Sequence, residues 1–206
     1  MTKFVLYNVP SYDQCFQPHL TRMSWLTNQF LVAMPSLTDS IFDRSVVLVC
    51  QHNESGALGI VVNKPTDIFM KDILTELDLD VDDVPENDIP VFLGGPVQME
   101  RGLVLHDSSN SWDATIAVGS ELGLTMSRDV LEAISEKRGP SRCILLLGFS
   151  GWESEQLESE MQENLWLTAP ADSSILFDTP IHERWHKAAS LVGIDIESLS
   201  TVAGHA

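Results

Sequence analysis

The sequence predicts a single α+β domain. The chain has 206 residues, of which 44% are hydrophobic and 20% charged, and this composition suffices for one buried core. Short apolar segments rich in β-branched residues recur along the chain between clusters of Gly, Asn, Asp and Ser, which predicts strands joined by turns. Segments with apolar residues at helical spacing lie among them, and no internal repeat is visible.

The first half of the chain predicts mostly strands. Between the predicted strands 57–63 and 90–93, segment 66–77 has apolar residues at 69, 70, 73, 74 and 77, which is the spacing of a helix. Thr66 or Asp67 is available as the N-cap of this helix. The predicted strands are 30–34, 45–52, 57–63, 90–93, 102–106 and 114–118.

The second half predicts helices that alternate with strands. Segment 142–149 is an almost continuous apolar run, which predicts a central strand covered on both faces. Segment 153–166 predicts an acidic amphipathic helix with Leu157, Met161 and Leu165 on one side. The remaining predictions are a helix over 128–137 capped by Ser127 or Asp129 and ended by Gly139 and Pro140, a strand over 174–177, and a helix that begins at Thr179 and Pro180 and ends at Gly193.

Residues 1–27 differ from the rest because they show no clear period. Met23 opens the segment MSWLTNQFLVAMP, which is typical of a chain start, so residues 1–22 are interpreted as an upstream addition. We expect 1–27 to be a flexible N-terminal extension and 28–206 to form the single domain.

The chain is strongly acidic, with 12 Lys and Arg against 30 Asp and Glu and a formal net charge of -18. The densest basic run, EKRGPSR, holds only Lys137, Arg138 and Arg142. Nucleic-acid binding needs a basic stripe that displaces counterions from phosphates, so direct binding of nucleic acid or of an anionic membrane surface is disfavoured. We expect the partner to be another protein or a small ligand.

The cysteines indicate a cytoplasmic protein. Cys15, Cys50 and Cys143 are scattered and odd in number, and they form no C-x-x-C motif. No apolar stretch approaches the roughly 20 residues of a membrane span, and the N-terminal apolar run is too short for a secretory signal.

The acidic segment 76–88 invites comparison with a calcium loop. With Asp78, Asp80 and Asp82 in the first three ligand positions, Asp83 stands where such a loop needs Gly, and Ile89 stands where it needs a bidentate Glu. The segment is interpreted as a solvated acidic loop.

Residues 182–186 read HERWH, the H-E-x-x-H spacing of a zinc peptidase. A peptidase also needs a third ligand, and Ala189 and Val192 occupy the positions of the extended motif. Glu197 and His205 are the remaining downstream candidates, and neither has a matching spacing. The motif is therefore interpreted as part of a core helix, whose apolar stripe would be Ile181, Trp185, Ala188, Ala189 and Val192.

The segment GFSGW has the strand–turn–helix context of a nucleophile elbow, but its second glycine comes one residue early. Gly151 directly follows Ser150, and Trp152 stands where the elbow has glycine. Two interpretations remain open: a nucleophilic Ser150, and a Ser150 that caps the next helix beside an anion-binding turn.

Two further segments supply candidate ligand-binding residues. Gly94 and Gly95, in LGGPV, predict a sharp turn that another backbone segment can approach closely, with Arg101 and His106 nearby to meet an anion or to pair with local acids. Cys50 and His52 share one face of a strand, and we expect Cys50 to pack in the core and His52 to make a polar contact.

The segments FLVAMPSL, FDRSVVLVCQHN, GALGIVVNKP, GGPV with RGLVLH, LLGFSGW, QLE, NLWL, RW and the final GHA together resemble the AlgH/YqgE family of bacterial proteins, from about Asn28 to Ala206. The resemblance implies one α+β domain with a mixed, bifurcated β-sheet folded into a pseudo-barrel with flanking helices. It implies no catalytic residue, because none is established for the family, whose members are often labelled transcriptional regulators. We expect no cofactor and no metal. The family pattern G-W-x-x-G-Q-L-E has glycine where this chain has Glu155.

The leading functional hypothesis is a cytoplasmic binding or regulatory domain that acts on transcription indirectly, through a protein partner or a small ligand. The alternative is a hydrolase with Ser150 as nucleophile and His52 or His106 as base. A third class is a structural partner whose acidic face meets a basic protein. We expect a pocket where Gly94 and Gly95, the strand ends that carry His52 and His106, and the segment of Ser150, Gly151 and Trp152 converge.

Overall fold

The computed structural model describes residues 26–38, 40–81 and 89–200. The expected N-terminal extension therefore lies almost wholly outside the described residues, as do most of the acidic loop and His205. The strands are β1 (Gln29–Ala33), β2 (Val46–Asn53), β3 (Gly56–Val61), β4 (Pro65–Phe69), β5 (Pro90–Leu93), β6 (Val97–Asp107), β7 (Thr115–Val118), β8 (Leu122–Thr125), β9 (Cys143–Glu153) and β10 (Trp166–Pro170). The helices are α1 (Met70–Glu76), α2 (Asp129–Ser135), α3 (Gln156–Gln162), α4 (Ser173–Phe177), a 3-10 helix (Ile181–Glu183), α5 (Arg184–Ser190) and α6 (Ile196–Ser200).

The strands form one mixed sheet that branches at β9. The main path runs β10-β1-β2-β3-β9-β6-β8-β7, and β4 and β5 form a side branch on β9. All pairings are antiparallel except β5 with β9. The sheet curls so far that Gly119, after β7, lies against the side chain of Asn28, before β1. The predicted α+β domain with a bifurcated, curled sheet is confirmed.

The branch point is a contact between two backbone segments. The N–H of Gly94 donates to the carbonyl of Leu147 in β9, and the carbonyl of Gly94 accepts from the N–H of Val61 in β3, both at 2.8 Å. A Cβ on Gly94 would lie 2.2 Å from the carbonyl oxygen of Gly148, so only glycine permits this approach. The prediction that another backbone segment approaches the glycine pair closely is confirmed.

Gly148 reverses the two faces of β9. Before it, Ile144 and Leu146 face the core inside the curled sheet, and Leu145 and Leu147 face outward. Gly148 has φ 69, a conformation that shifts the side-chain alternation by one residue, and Phe149 then faces the inner core. One strand can therefore pair with β5 along its first part and with β3 along its last part.

Three apolar clusters cover both faces of the sheet. The inner cluster lies inside the curl and is closed by α4 and α5; the second covers the outer face of β1–β3 under α3; the third lies between α1, α2 and the outer face of β6 and β9. In β2, Val46 and Leu48 face the inner cluster, whereas Val47 and Val49 face the second cluster. Because both faces of β2 are buried, each of these four positions is apolar.

Two predicted elements are wrong in type. Segment 174–177 is a helix, because the carboxylate of Asp172 accepts the N–H of Ser174 at 2.8 Å and caps α4. The first part of 66–77 is strand β4: Thr66 donates its hydroxyl to the carbonyl of Val91 instead of capping a helix, and α1 begins only after Phe69.

Several predicted boundaries are also corrected. The acidic helix over 153–166 is only α3, because Asn164 turns the chain at φ 56 and Trp166 starts β10. Strand β8 was not predicted. Ser127 does not cap α2, since its hydroxyl donates to Oδ1 of Asp129, and that oxygen accepts the N–H of Val130 in the first turn of α2 at 3.0 Å. Thr179 does not cap the last predicted helix, since its hydroxyl donates to the carbonyl of Ser174. That helix consists of the 3-10 helix followed by α5.

We predict that Gly95→Ala destabilises the fold severely. Gly95 has φ 155, and a Cβ there would lie 2.3 Å from the carbonyl carbon of Phe149, so the two chains must separate. We expect a loss of about 3 kcal/mol or more in the free energy of unfolding, measured by denaturant titration. Gly151→Ala is the control, because its nearest neighbour would be an ordinary 3.8 Å away. Equal stability of the two variants would contradict the prediction.

We predict that Glu155→Gly stabilises the protein. Glu155 is exposed and has φ 64, which costs a residue with a side chain about 1 kcal/mol relative to glycine. The melting temperature should rise by about 2–4 °C in scanning calorimetry. Glu155→Ala keeps the unfavourable φ while removing the same charge, so it should give no comparable gain. A similar rise for both variants would assign the effect to charge instead.

Candidate functional site

Ser150 lies at the branch point, inside a strand. Its side chain is 1% exposed, and its Oγ donates to the carbonyl of Gly94 at 3.3 Å. The interpretation of Ser150 as a helix cap is wrong, because β9 continues to Glu153 and α3 begins at Gln156. The hydroxyl therefore contributes to the junction with Gly94, and Gly151 beside it is exposed. The hydroxyl of Ser150 is therefore not accessible to a substrate carbonyl.

Trp152 belongs to an aromatic cluster built around one carboxylate. Its indole N–H and that of Trp166 both donate to Oε2 of Glu160, each at 2.8 Å. Phe42 packs edge-on against Trp166, with ring centroids 5.5 Å apart. These aromatic side chains close the second apolar cluster on the side of α3. The two indole N–H groups and the carboxylate of Glu160 therefore serve to hold the fold together.

His52 pairs with α3 and does not reach Ser150. Its Nε2 lies 2.8 Å from Oε1 of Glu158, and the side chain is 5% exposed. Nδ1 is buried and has no hydrogen-bond partner. Cys50, 1% exposed, packs in the inner cluster, and burial raises the pKa of its thiol. The expectations of a core Cys50 and a polar contact for His52 are confirmed.

His106 is at the opposite end of β9 from Ser150. It pairs with Cys143, seven residues before Ser150, which corresponds to roughly 20 Å along a strand. The ring is fully buried: Nδ1 donates to the carbonyl of Asp107 at 2.6 Å, and Nε2 lies 2.8 Å from Oγ1 of Thr125. The expected convergence of both histidines with the glycine turn is therefore wrong, since strand positions separate them.

Arg101 lies in a bulge of β6 next to the branch point. Residues 98–101 stand opposite Gly148, and Nη1 of Arg101 donates to Oε1 of Gln98 at 3.2 Å. The expected ion pair with a local acid does not form among the described residues. The structure brings Gly94, Gly95, Arg101, Ser150 and Gly151 into one region and leaves the histidines outside it.

The HERWH segment contributes an anchor to the core. Trp185 is 5% exposed, and its indole N–H donates to the carbonyl of Ala33 at 2.9 Å. His182 is 83% exposed and belongs to the 3-10 helix, whereas His186 packs edge-on against Trp185 in α5. In the described ranges, no three His, Cys, Asp or Glu side chains are grouped so that they could hold a metal ion. The apolar stripe is confirmed except at Val192, which is 39% exposed.

Two surface cavities lie elsewhere. The first, of about 600 Å³, is polar and is lined by Ser108, Ser109, Asn110, Ser111, Trp112, Ala133 and Arg138. The second, of about 580 Å³, is walled by apolar side chains and has Lys137, Arg142 and Asp178 among its lining residues. Their volumes fall in the range of small-molecule sites. No helix in the described ranges is long and apolar enough to cross a membrane.

The second cavity, here called the apolar pocket, is formed by four separate elements. Met70 of α1, Ile134 of α2, Phe177 of α4 and Cys143 of β9 contribute side chains to it. The guanidinium of Arg142 stacks on the ring of Phe177 at 4.9 Å. Burial, followed by the negative charge of Asp107, raises the pKa of the Cys143 thiol to about 11, so the thiol is neutral at pH 7.

Sequence reasoning missed the apolar pocket. The run EKRGPSR supplies Lys137 and Arg142 to the pocket, but its sequence indicates only a short basic stretch. The apolar wall residues are distant in the sequence, and no local pattern groups them.

Comparison with known proteins gives one consistent result. The sequence model described as AlgH-like matches residues 30–197. A UPF0301 protein of Methylococcus capsulatus is 48% identical over 181 residues, 88% of this chain and 96% of that protein. The solution structure of the AlgH protein from Pseudomonas aeruginosa, 40% identical, superimposes with a TM-score of 0.73 and covers 91% of this chain and 100% of its own. A crystal structure from Corynebacterium diphtheriae, 22% identical, shares the fold with a TM-score of 0.67 over 88% of this chain and 94% of its own.

We predict that Glu160→Leu destabilises the protein. The substitution leaves two indole N–H groups without their acceptor, each on a side chain that is 6% exposed. The free energy of unfolding should fall by about 2–3 kcal/mol, measured by urea titration. Glu163→Leu, at the C-cap of the same helix, is the control, because Glu163 is exposed and accepts no indole N–H from a described residue. The proposed role of Glu160 fails if both variants lose the same stability.

Proposed function

The chain belongs to the AlgH-like family, and we propose that it is a binding domain for a small amphipathic ligand, with an apolar body and one anionic group, held in the apolar pocket. The observation that carries this proposal is a cavity of about 580 Å³ with apolar walls and cations at its rim. Ligand sites of this size generally combine apolar walls with a few polar groups that orient the ligand.

The apolar walls would take the body of the ligand. Met70 is 1% exposed and fixed in the third apolar cluster, where Ile134 also packs. Phe177 provides an aromatic surface next to the inner cluster. Since these residues belong to elements that pack against the sheet, the wall is already formed without a ligand.

Arg142 would bind the anionic group. Its Nη1 lies 3.7 Å from Oδ2 of Asp178, and both side chains are largely exposed, at 43% and 64%. Such an exposed ion pair contributes about 0–1 kcal/mol, so a ligand anion can replace Asp178 at little cost. The stacking of Arg142 on Phe177 keeps the guanidinium at the rim.

A hydrolase is not supported by the described residues. The Oγ of Ser150 donates to a backbone carbonyl and has no histidine partner. His52 is engaged with Glu158, and His106 with Thr125 and a carbonyl. An activated nucleophile needs a base within hydrogen-bond reach, and neither histidine meets that condition for Ser150.

A regulatory role would be indirect. The net charge of -18 opposes approach to DNA, so an effect on transcription would pass through a protein partner that senses the ligand-bound state. We place this role in the cytoplasm, an assignment supported by the unpaired thiols of Cys50 and Cys143.

We predict saturable binding of 8-anilinonaphthalene-1-sulfonate, an apolar aromatic anion, measured by fluorescence titration of the folded protein. Arg142→Met should weaken binding about five- to tenfold, because the sulfonate loses its charge-assisted hydrogen bond. Arg128→Met is the matched control: Arg128 is exposed and also paired with an acid, Glu132, but it does not line the apolar pocket.

Protection of Cys143 locates the bound dye. Occupation of the apolar pocket should slow alkylation of Cys143, mapped by mass spectrometry of its peptide, in proportion to saturation. Equal affinities of the two arginine variants together with unchanged alkylation of Cys143 would overturn the proposal.

A further inference from the structure

Three cationic side chains lie around the junction of β2, β3 and α5, and none of them lines the apolar pocket. Arg44 precedes β2, Lys64 follows β3, and Arg184 starts α5. The segments are connected directly: the side-chain amide of Asn63 donates to the carbonyl of Arg44 at 2.8 Å, and its oxygen accepts the N–H of Val46 at 2.8 Å. The sheet connections therefore set the positions of Arg44 and Lys64, and Arg184 of α5 is tied to them through the carbonyl of Val62.

Arg184 is a buried cation whose hydrogen bonds go only to carbonyl groups. Its side chain is 6% exposed, and it donates through Nη1 to the carbonyl of Val62 and through Nε to that of Thr179. The guanidinium lies 5.3 Å from the ring centroid of Phe92. Burial lowers its pKa to about 10, so it remains charged at pH 7. Nη2 has no hydrogen-bond partner among the described residues and is not sealed from solvent.

Lys64 and Arg44 also retain unused donors. The ammonium of Lys64 makes one hydrogen bond, to the carbonyl of Asp43 at 2.6 Å. Arg44 is exposed, and its guanidinium lies over the ring of Trp185, 5.6 Å from the centroid, with no hydrogen bond to a described residue. Trp185 follows Arg184 in the chain, so Arg44 contacts the same helix that carries Arg184.

None of the three cations has a carboxylate within ion-pair distance in the described part of the chain. Three other arginines of this chain with 30 acidic residues, Arg128, Arg138 and Arg142, are each paired with a carboxylate, whereas Arg101 donates to Gln98 instead. The nearest acid in sequence, Asp43, contributes its carbonyl to Lys64 instead of its carboxylate. A buried cation without an acid is costly unless an anion compensates it.

We propose that Arg44, Lys64 and Arg184 form a binding site for a phosphate group. The cations lie on three separate segments, an arrangement that suits a tetrahedral anion with several oxygens better than a planar carboxylate with two. The exposed guanidinium of Arg44 can bind two oxygens side by side, the unused Nη2 of Arg184 can donate to another, and the ammonium of Lys64 acts as a point charge. The phosphate belongs either to free inorganic phosphate or to a phosphate ester, and both present the same oxygens.

The test is a titration of the whole chain with inorganic phosphate at constant ionic strength, monitored by calorimetry and by the arginine Nε–Hε resonances in NMR spectra. We expect saturable binding, a shift of the Arg184 resonance, and a weaker response to acetate. Lys64→Met should weaken phosphate binding at least about tenfold, which corresponds to the loss of one charge-assisted contact. A parallel titration with glycerol 3-phosphate and phenyl phosphate separates the sources: tighter binding of an ester assigns the site to esters, and equal or weaker binding assigns it to free phosphate.

Lys71→Met is the matched control, because Lys71 is an exposed lysine on α1 outside the cluster. Arg44→Met serves as a second cluster variant, since Arg44 is exposed and its replacement preserves the fold, whereas loss of the buried Arg184 endangers it. The proposal is overturned if phosphate does not saturate the wild-type protein, or if Lys64→Met and Lys71→Met bind it equally. The site is independent of the apolar pocket: Arg142→Met should leave phosphate binding unchanged, so the two proposals fail separately.

Discussion

The fold depends on one contact between two backbone segments, Gly94 and Gly95 against Gly148 and Phe149. Side chains cannot be accommodated there, since a Cβ on either glycine of the turn would come within 2.3 Å of the facing backbone. The carbonyl of Gly94 accepts from Val61 of β3 and from the hydroxyl of Ser150, while its N–H donates to Leu147 of β9. This single peptide therefore holds together the strands between which the sheet divides.

The division of the sheet determines where the apolar side chains go. Because Gly148 shifts the alternation in β9, the strand contributes to the third apolar cluster before the shift and to the second after it, where Trp152 packs. Each face then needs its own cover, and short helices supply it. Ser150 and His106, which the sequence offers as a candidate nucleophile and a candidate base, make buried hydrogen bonds within this arrangement. The two proposed ligand sites lie at the periphery, between the covering helices and the strand ends.

Because the chain has a large excess of acidic residues, it is informative which cations have an acidic partner and which do not. An excess of acids gives every exposed Lys and Arg an opportunity to pair, and Arg128 and Arg138 do so. Arg44, Lys64 and Arg184 remain without an acid because the sheet connections place backbone carbonyls and aromatic rings around them. The two proposed sites differ accordingly: the apolar pocket has a loosely paired Arg142 beside apolar walls, whereas the phosphate site consists of cations alone.

The sequence by itself determined the α+β class, the apolar strands β1, β2 and β9, the close approach at Gly94 and Gly95, and the core role of Trp185. These features depend on local patterns, namely side-chain alternation, glycine pairs and helical spacing, which act over a few residues. Only the tertiary structure decided that 174–177 is a helix, that His52 and His106 lie apart from Ser150, and that Arg184 bonds to Val62, two residues before Lys64. The physical reason is that hydrogen bonds between residues distant in the chain, such as that from Arg184 to Val62, select among local conformations of similar energy and bring together side chains that no spacing in the sequence connects.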